Sequence, residues 1–148
     1  MKIKDVSLQD LNQIYKLEKL IFGEDAFSKD LIRKLIRRNI FFLKLEKKGL
    51  IKQLIGFAIA VKDRKDRINI INFLINPKFQ NQGYGSYLLN EIIKRVKELD
   101  EIIQIVLNVK VNNEAAIHLY EKFRFKIVKR IDNYYRSGDA GFLMELDL

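Results

Sequence analysis

Cysteine is absent from this chain of 148 residues, which excludes disulfides, thiolate metal sites and a cysteine nucleophile. Histidine occurs once, at His118, too little for a histidine-built metal centre, so no metal is expected. No window holds the roughly 20 uninterrupted apolar residues that a membrane-spanning helix needs. The opening residues Met1-Lys2-Ile3-Lys4-Asp5 lack the apolar segment of a secretory leader. These absences predict a soluble, cytoplasmic protein with no membrane partner. Acidic residues are the minority, 19 against 28 lysines and arginines, for a net charge of +9. Such an excess attracts polyanions and phosphate-bearing ligands. The basic residues are nevertheless scattered (Arg33, Lys34, Arg37 and Arg38; Lys62 to Arg67; Lys126 to Arg130), with no long arm and no helix-turn-helix. A sequence-specific reader of nucleic acid is not expected.

A hydrophobic content of 48% in 148 residues predicts one compact domain over residues 1–148. Nothing reads as a linker, repeat or low-complexity tract. After a short strand at Lys2 to Asp5, Ser7 with Asp10 forms a cap signal. Leu8, Leu11, Ile14, Leu17 and Ile21 then recur at helical spacing up to Gly23. Ser28 caps a second helix carrying Leu31, Ile32, Leu35 and Ile36. Ile40 to Glu46 and Leu54 to Lys62 read as a hairpin turning through Lys47-Lys48-Gly49, and the charged turn Asp63 to Asp66 leads into a buried strand, Ile68 to Ile75. A helical stripe follows (Leu88, Leu89, Ile92, Ile93, Val96, Leu99). Then come a strand at Ile103 to Val109, a helix from Glu114 to Lys122 started by Asn113, and a closing antiparallel pair, Ile127 to Ile131 with Gly141 to Asp147. This order predicts an α/β fold, a mixed sheet with helices on both faces.

The only proline, Pro77, ends the apolar run Ile70 to Ile75 and is followed by Gln80-Asn81-Gln82-Gly83-Tyr84-Gly85 and a helix. A strand, a short glycine-bearing loop and a helix N-terminus gather unpaired backbone N–H groups in front of the positive end of the helix dipole. That arrangement is an anion site, most naturally for phosphate. The P-loop ending Gly-Lys-Ser/Thr is missing, and Ser86 to Leu89 supply no third glycine for a dinucleotide fingerprint.

Gln80 to Gly85 resembles the Q/R-x-x-G-x-G/A pyrophosphate loop of the GNAT (Gcn5-related) acetyltransferase superfamily. Asn108-Val109-Lys110-Val111-Asn112-Asn113-Glu114-Ala115-Ala116-Ile117-His118-Leu119-Tyr120, closed by Phe123-Arg124-Phe125, resembles that superfamily's V-x-x-x-N-x-x-A-x-x-L-Y-x-x-x-G-F segment. Tyr134-Tyr135 with Asp139-Ala140 and Met144 resembles the ending of RimI-like and archaeal N-alpha-acetyltransferases. The three motifs cover about half of the chain.

The resemblance implies a central, mostly antiparallel sheet of six to seven strands flanked by four helices and splayed at a site for acetyl-CoA. It implies that the pyrophosphate rests on the amides of Asn81, Gln82, Gly83, Tyr84, Gly85 and Ser86, with the pantetheine arm along the backbone of Phe73, Leu74 and Ile75 and Asn113 in contact with the cofactor. It implies that Tyr120 protonates the leaving sulfur, and that Tyr134 and Tyr135 clamp the backbone of a protein or peptide substrate. His118, two residues before Tyr120, falls on another helix face and is read as surface. One departure stands out: Asn108 occupies the strand position where related enzymes carry a glutamate or histidine, and an asparagine cannot take a proton. Either Glu24 or Asp25 serves as base, or Asn108 orders a water. A second departure is Arg124 in place of the usual glycine, where a left-handed cap costs about 1 kcal/mol.

A weak base suits an α-amine with a pKa of about 7.7–8.0 better than a lysine at about 10.4. The expected activity is therefore acetylation of protein N-termini, with ribosome docking as a use for the basic surface and a monomer or homodimer as the assembly. Acetylation of a small amine such as a polyamine or amino-sugar, and a non-catalytic CoA-binding or ribosome-binding module, are the alternatives.

Overall fold

The computed structural model describes residues 1–148. Seven strands, β1 (Lys2–Asp5), β2 (Phe41–Lys47), β3 (Gln53–Arg64), β4 (Arg67–Ile75), β5 (Gln104–Lys110), β6 (Lys126–Ile131) and β7 (Gly141–Asp147), form one sheet in the order β1-β2-β3-β4-β5-β7-β6. Every neighbouring pair is antiparallel except β4 and β5. A parallel pair requires a crossover, and the helix between those two strands supplies it. Four helices, α1 (Leu11–Phe22), α2 (Lys29–Arg37), α3 (Tyr84–Lys97) and α4 (Glu114–Lys122), cover the two faces.

Each face has its own core. On one, Leu88, Leu89, Ile92 and Val96 of α3 meet Ile68, Ile70, Ile105 and Leu107 of the sheet. On the other, Ile14 and Leu17 of α1 and Ile32 of α2 meet Phe42, Phe57, Ile59 and Leu74. Each large aliphatic side chain so enclosed contributes about 1.5–3 kcal/mol relative to exposure.

The polar caps act as the sequence predicts. Ser28 Oγ accepts from the Leu31 amide at 3.1 Å, and Asn113 Oδ1 accepts from the Ala116 amide at 3.2 Å. The first helix differs, entering through a short 3-10 turn at Leu8–Asp10. Asp10 accepts the Ser7 amide at 2.8 Å and the Lys44 ammonium at 2.8 Å, which ties that turn to β2. The hairpin strands also run further than expected: Asp63 pairs with Arg67 at 2.9 Å, and the turn shrinks to Lys65 and Asp66.

One irregularity decides the geometry of the site. In the β3–β4 register Ile59 faces Asn72 and Ala60 faces Ile70, so Ile71 has no partner and β4 carries a bulge. Side chains alternate along a strand, so one extra residue exchanges the faces. Ile68 and Ile70 join the α3 core, whereas Leu74 joins the α1 core and Asn72 turns toward α1. The β4–β5 ladder stops there as well, running only from Arg67 with Gln104 to Ile70 with Leu107. Beyond it the two strands splay.

No helix is long and apolar enough to cross a membrane. No group of three or more His, Asp or Glu side chains is arranged to hold a metal ion.

Arg124, just past α4, has φ of 73°, the left-handed conformation its position demands. Replacing it with glycine removes the Cβ penalty, so Arg124→Gly is expected to raise unfolding free energy by about 1 kcal/mol. The midpoint of urea unfolding reads this directly.

Candidate active site

The splay between β4 and β5 opens into a cleft of about 430 Å³. Its floor and walls come from four regions: the second half of β4, the end of β5, the loop into α3, and α4 with Tyr120. The end of α1 and the segment after it close the remaining side through Phe22, Asp25 and Phe27.

At one end of the cleft the chain leaves β4 through Pro77–Phe79 and reaches the N-terminus of α3. Asn81 has φ of 62° and Gly83 φ of 83°, two left-handed residues that turn the backbone inward. The first helical bond joins the Tyr87 amide to the Gly83 carbonyl at 3.1 Å, and the amides of Asn81 to Ser86 make no backbone bond. Six free donors at the positive end of a helix of 14 residues make an anion site. Asn81, Gly83, Tyr84, Gly85 and Ser86 line the cleft; Gln82 does not, and its side chain is exposed. A Cβ on Gly85 would come within 3.1 Å of Leu119, so this helix start packs closely on α4.

Phe73, Leu74 and Ile75 line the cleft along the stretch of β4 that β5 leaves unpaired. The Leu74 side chain is core, while Phe73 meets the Tyr120 ring edge-on at 6.0 Å. Tyr120 is 5% exposed and also packs on Phe125. Its hydroxyl has no partner within the protein, yet the one fully enclosed side-chain polar atom lacking a partner is Asn69 Oδ1, so the phenol opens onto the cleft. Burial, with a smaller contribution from Tyr135, pushes the Tyr120 hydroxyl far above its usual range, so it remains a proton donor at any physiological pH. Asn108 lies in the wall, and Asn113 sits at the start of α4 where it caps the helix.

The two acidic candidates separate. Glu24 is exposed and outside the lining of the cleft, so it is poorly placed to act as a base there. Asp25 lines the cleft but is ion-paired: enclosure raises its carboxyl, yet the Lys110 ammonium and the Ser137 amide outweigh that and hold it at about 2. It cannot accept a proton near neutrality. Tyr135 lines the cleft and stacks edge-on with Tyr134 at 4.9 Å; Tyr134 itself stands 44% exposed outside it. Burial lifts the Tyr135 hydroxyl to about 12. His118 is exposed, as its helix position predicts.

Glu18 was missed from sequence. Its side chain is 1% exposed, lines the cleft, and spends both oxygens: Oε1 accepts from Asn72 Nδ2 at 2.5 Å and Oε2 from the Phe27 amide at 2.8 Å. It joins α1, the segment after α1 and the bulged part of β4. A signal existed, since Glu18 follows Ile14 by four residues on the apolar stripe of α1, where a charge needs a buried partner.

The acetyltransferase (GNAT) family model matches residues 8–125. The chain belongs to the GNAT acetyltransferase family. It is 25% identical to the N-alpha-acetyltransferase of Sulfurisphaera tokodaii, over 99% of this chain and 93% of that protein. It is 27% identical to the putative ribosomal protein bS18-alanine N-acetyltransferase of Bacillus subtilis, over 96% of this chain and 92% of that one. The crystal structure of Ard1 from Thermoplasma volcanium superposes with a TM-score of 0.89 at 23% identity, covering 99% of this chain and 97% of that one. In this GNAT protein the seven-stranded sheet and four helices therefore belong to the family's fold.

Glu18→Ala would leave two buried donors without partners, and an expected loss of about 2–3 kcal/mol follows. The charge itself has a sign that can be checked. Burial raises the Glu18 carboxyl above its ordinary value despite the bonds from Phe27 and Asn72. That part of the stability is full below about pH 4.3, the ordinary glutamate pKa, and is lost as pH rises through the folded value. Glu18→Gln abolishes this slope, so its stability relative to wild type increases across that window in pH-resolved urea titrations.

Proposed function

We propose that this protein is an acetyl-CoA-dependent N-alpha-acetyltransferase acting on protein or peptide N-termini, with Tyr120 as the acid. The observation that carries the reading is the conjunction of six free amides at the α3 N-terminus with a buried phenol open to the same cleft. A diphosphate fits those amides. When bound, acetyl-CoA supplies a thioester that can acylate an amine. The unpaired backbone edge at Phe73, Leu74 and Ile75 offers the pantetheine amides the bonds an added strand would make. Tyr120 holds a proton at Oη for the departing sulfur, and burial keeps that proton in place near neutrality.

No carboxylate of the cleft is free to deprotonate a strongly basic amine. Asp25 is paired with Lys110, Glu18 is committed to Phe27 and Asn72, and Asn108 has no basic site. An α-amine is about half neutral near pH 8, whereas a lysine amine is neutral some hundreds of times less often. A useful fraction of the acceptor therefore arrives already neutral, with Asn108 orienting a water that takes the last proton. The relatives from S. tokodaii and B. subtilis carry names of the same acceptor class. A polyamine would call for unpaired carboxylates, and this cleft presents none. The net charge of +9 supports docking near ribosomal RNA in the cytoplasm, where nascent N-termini emerge.

Two measurements test the reading. Tyr120→Phe is expected to lower kcat by about 10²-fold or more, with CoA affinity in calorimetry unchanged. With no enzyme base, kcat/KM for a peptide should climb tenfold per pH unit and level off at the pKa of that peptide's own α-amine, about 7.7–8.0. Peptides with altered amine pKa must move the midpoint in step; a midpoint indifferent to the peptide would assign a base to the protein.

A further inference from the structure

Two segments far apart in sequence flank the acceptor side of the cleft: the loop between α1 and α2, and the loop between β6 and β7. One ion pair joins them through the end of β5. Lys110 Nζ lies 2.5 Å from Asp25 Oδ2 and 3.4 Å from Asp139 Oδ2, and it stands 5.3 Å from the centre of the Tyr135 ring. Asp25 Oδ1 in turn accepts the Ser137 amide at 2.9 Å. The Asp25 side chain is only 3% exposed against 24% for Lys110, so the carboxylate end of this contact is enclosed while the ammonium end reaches solvent.

Both loops are stiffened behind the contact. In the β6–β7 loop the Asp139 carbonyl accepts the amides of Tyr134 and Tyr135, so Asp139 cannot move without them. In the α1–α2 loop Glu18 holds the Phe27 amide from within. The position of Tyr135 in the cleft is thereby linked through Lys110 and Asp25 to that of Phe22 and Phe27 opposite.

We propose that Asp25 and Lys110 are positioning residues that latch the two acceptor loops together and so set the shape into which the substrate N-terminus fits. The proposal rests on the N-terminal acetyltransferase reading. Neither residue moves a proton: Asp25 stays ionised down to about pH 2, and Lys110, whose ammonium its carboxylate partners hold on balance above the usual range despite burial, stays charged. The donor end, built on α3, lies outside the latch. Breaking the pair therefore weakens acceptor binding and leaves the donor site as it is.

The test compares Lys110→Met, Asp25→Asn and Lys110→Arg with wild type. The latch predicts that KM for a peptide with a free N-terminus rises about tenfold in Lys110→Met and Asp25→Asn, less than the loss of one partner of a fully buried pair would give, because the Lys110 side chain is 24% exposed. It also predicts unchanged CoA affinity by calorimetry and near wild-type behaviour for Lys110→Arg, which retains the charge. In the protein alone, amide hydrogen exchange over residues 132–140 should accelerate in Lys110→Met. Peptide KM and exchange both unchanged would overturn the proposal, as would an equal loss of CoA affinity and peptide affinity in all three variants. If wild type acetylates no peptide, the enzymatic reading fails, and the exchange measurement still decides whether the pair couples the loops.

Discussion

The single unpaired residue in β4 is the constraint on which the rest of the molecule depends. A regular strand through Ile71 would keep Ile68, Ile70, Asn72 and Leu74 on one face, and β5 could pair along the full length of its neighbour. The bulge exchanges the faces, delivers Asn72 to Glu18 on the α1 side, and coincides with the end of the β4–β5 ladder. The cleft is what remains between two strands that can no longer bond.

Around that opening the protein keeps its charges occupied. Glu18, Asp25 and Lys110 all reach the cleft, and all are bound to protein partners. The uncommitted polar groups include the backbone amides ahead of α3, the side-chain amide of Asn108 and the phenols of Tyr120 and Tyr135. An arrangement of that sort favours a phosphate-bearing donor at one end and a neutral amine at the other. It leaves little to attract a polycation. On the proposed reading, catalysis comes from placement and from one proton donor, not from a strong base.

Much of the fold was legible in the residues. Apolar repeats at helical spacing, strand-like runs and polar caps at Ser28 and Asn113 located nearly every element, because each is a local signal carried by neighbours in sequence. The anion loop was legible for the same reason: Gly83 permits the left-handed turn, and Pro77 and the following helix frame it. Arg124 was a case where motif and residue disagreed, and the backbone resolved it in favour of the motif, with the arginine held at a positive φ. Glu24 was the opposite case, since a loop between helices does not reveal which of two adjacent carboxylates turns inward.

Sequence by itself determined the elements, the glycine-bearing turn ahead of α3 and the family, since these reside in short stretches whose geometry follows from local backbone preference. Tertiary structure alone decided the partners. Glu18 with Asn72 spans 54 positions and Lys110 with Asp25 spans 85. No local preference encodes such pairings, because a buried charge is stable only beside whatever partner the folded sheet brings to it.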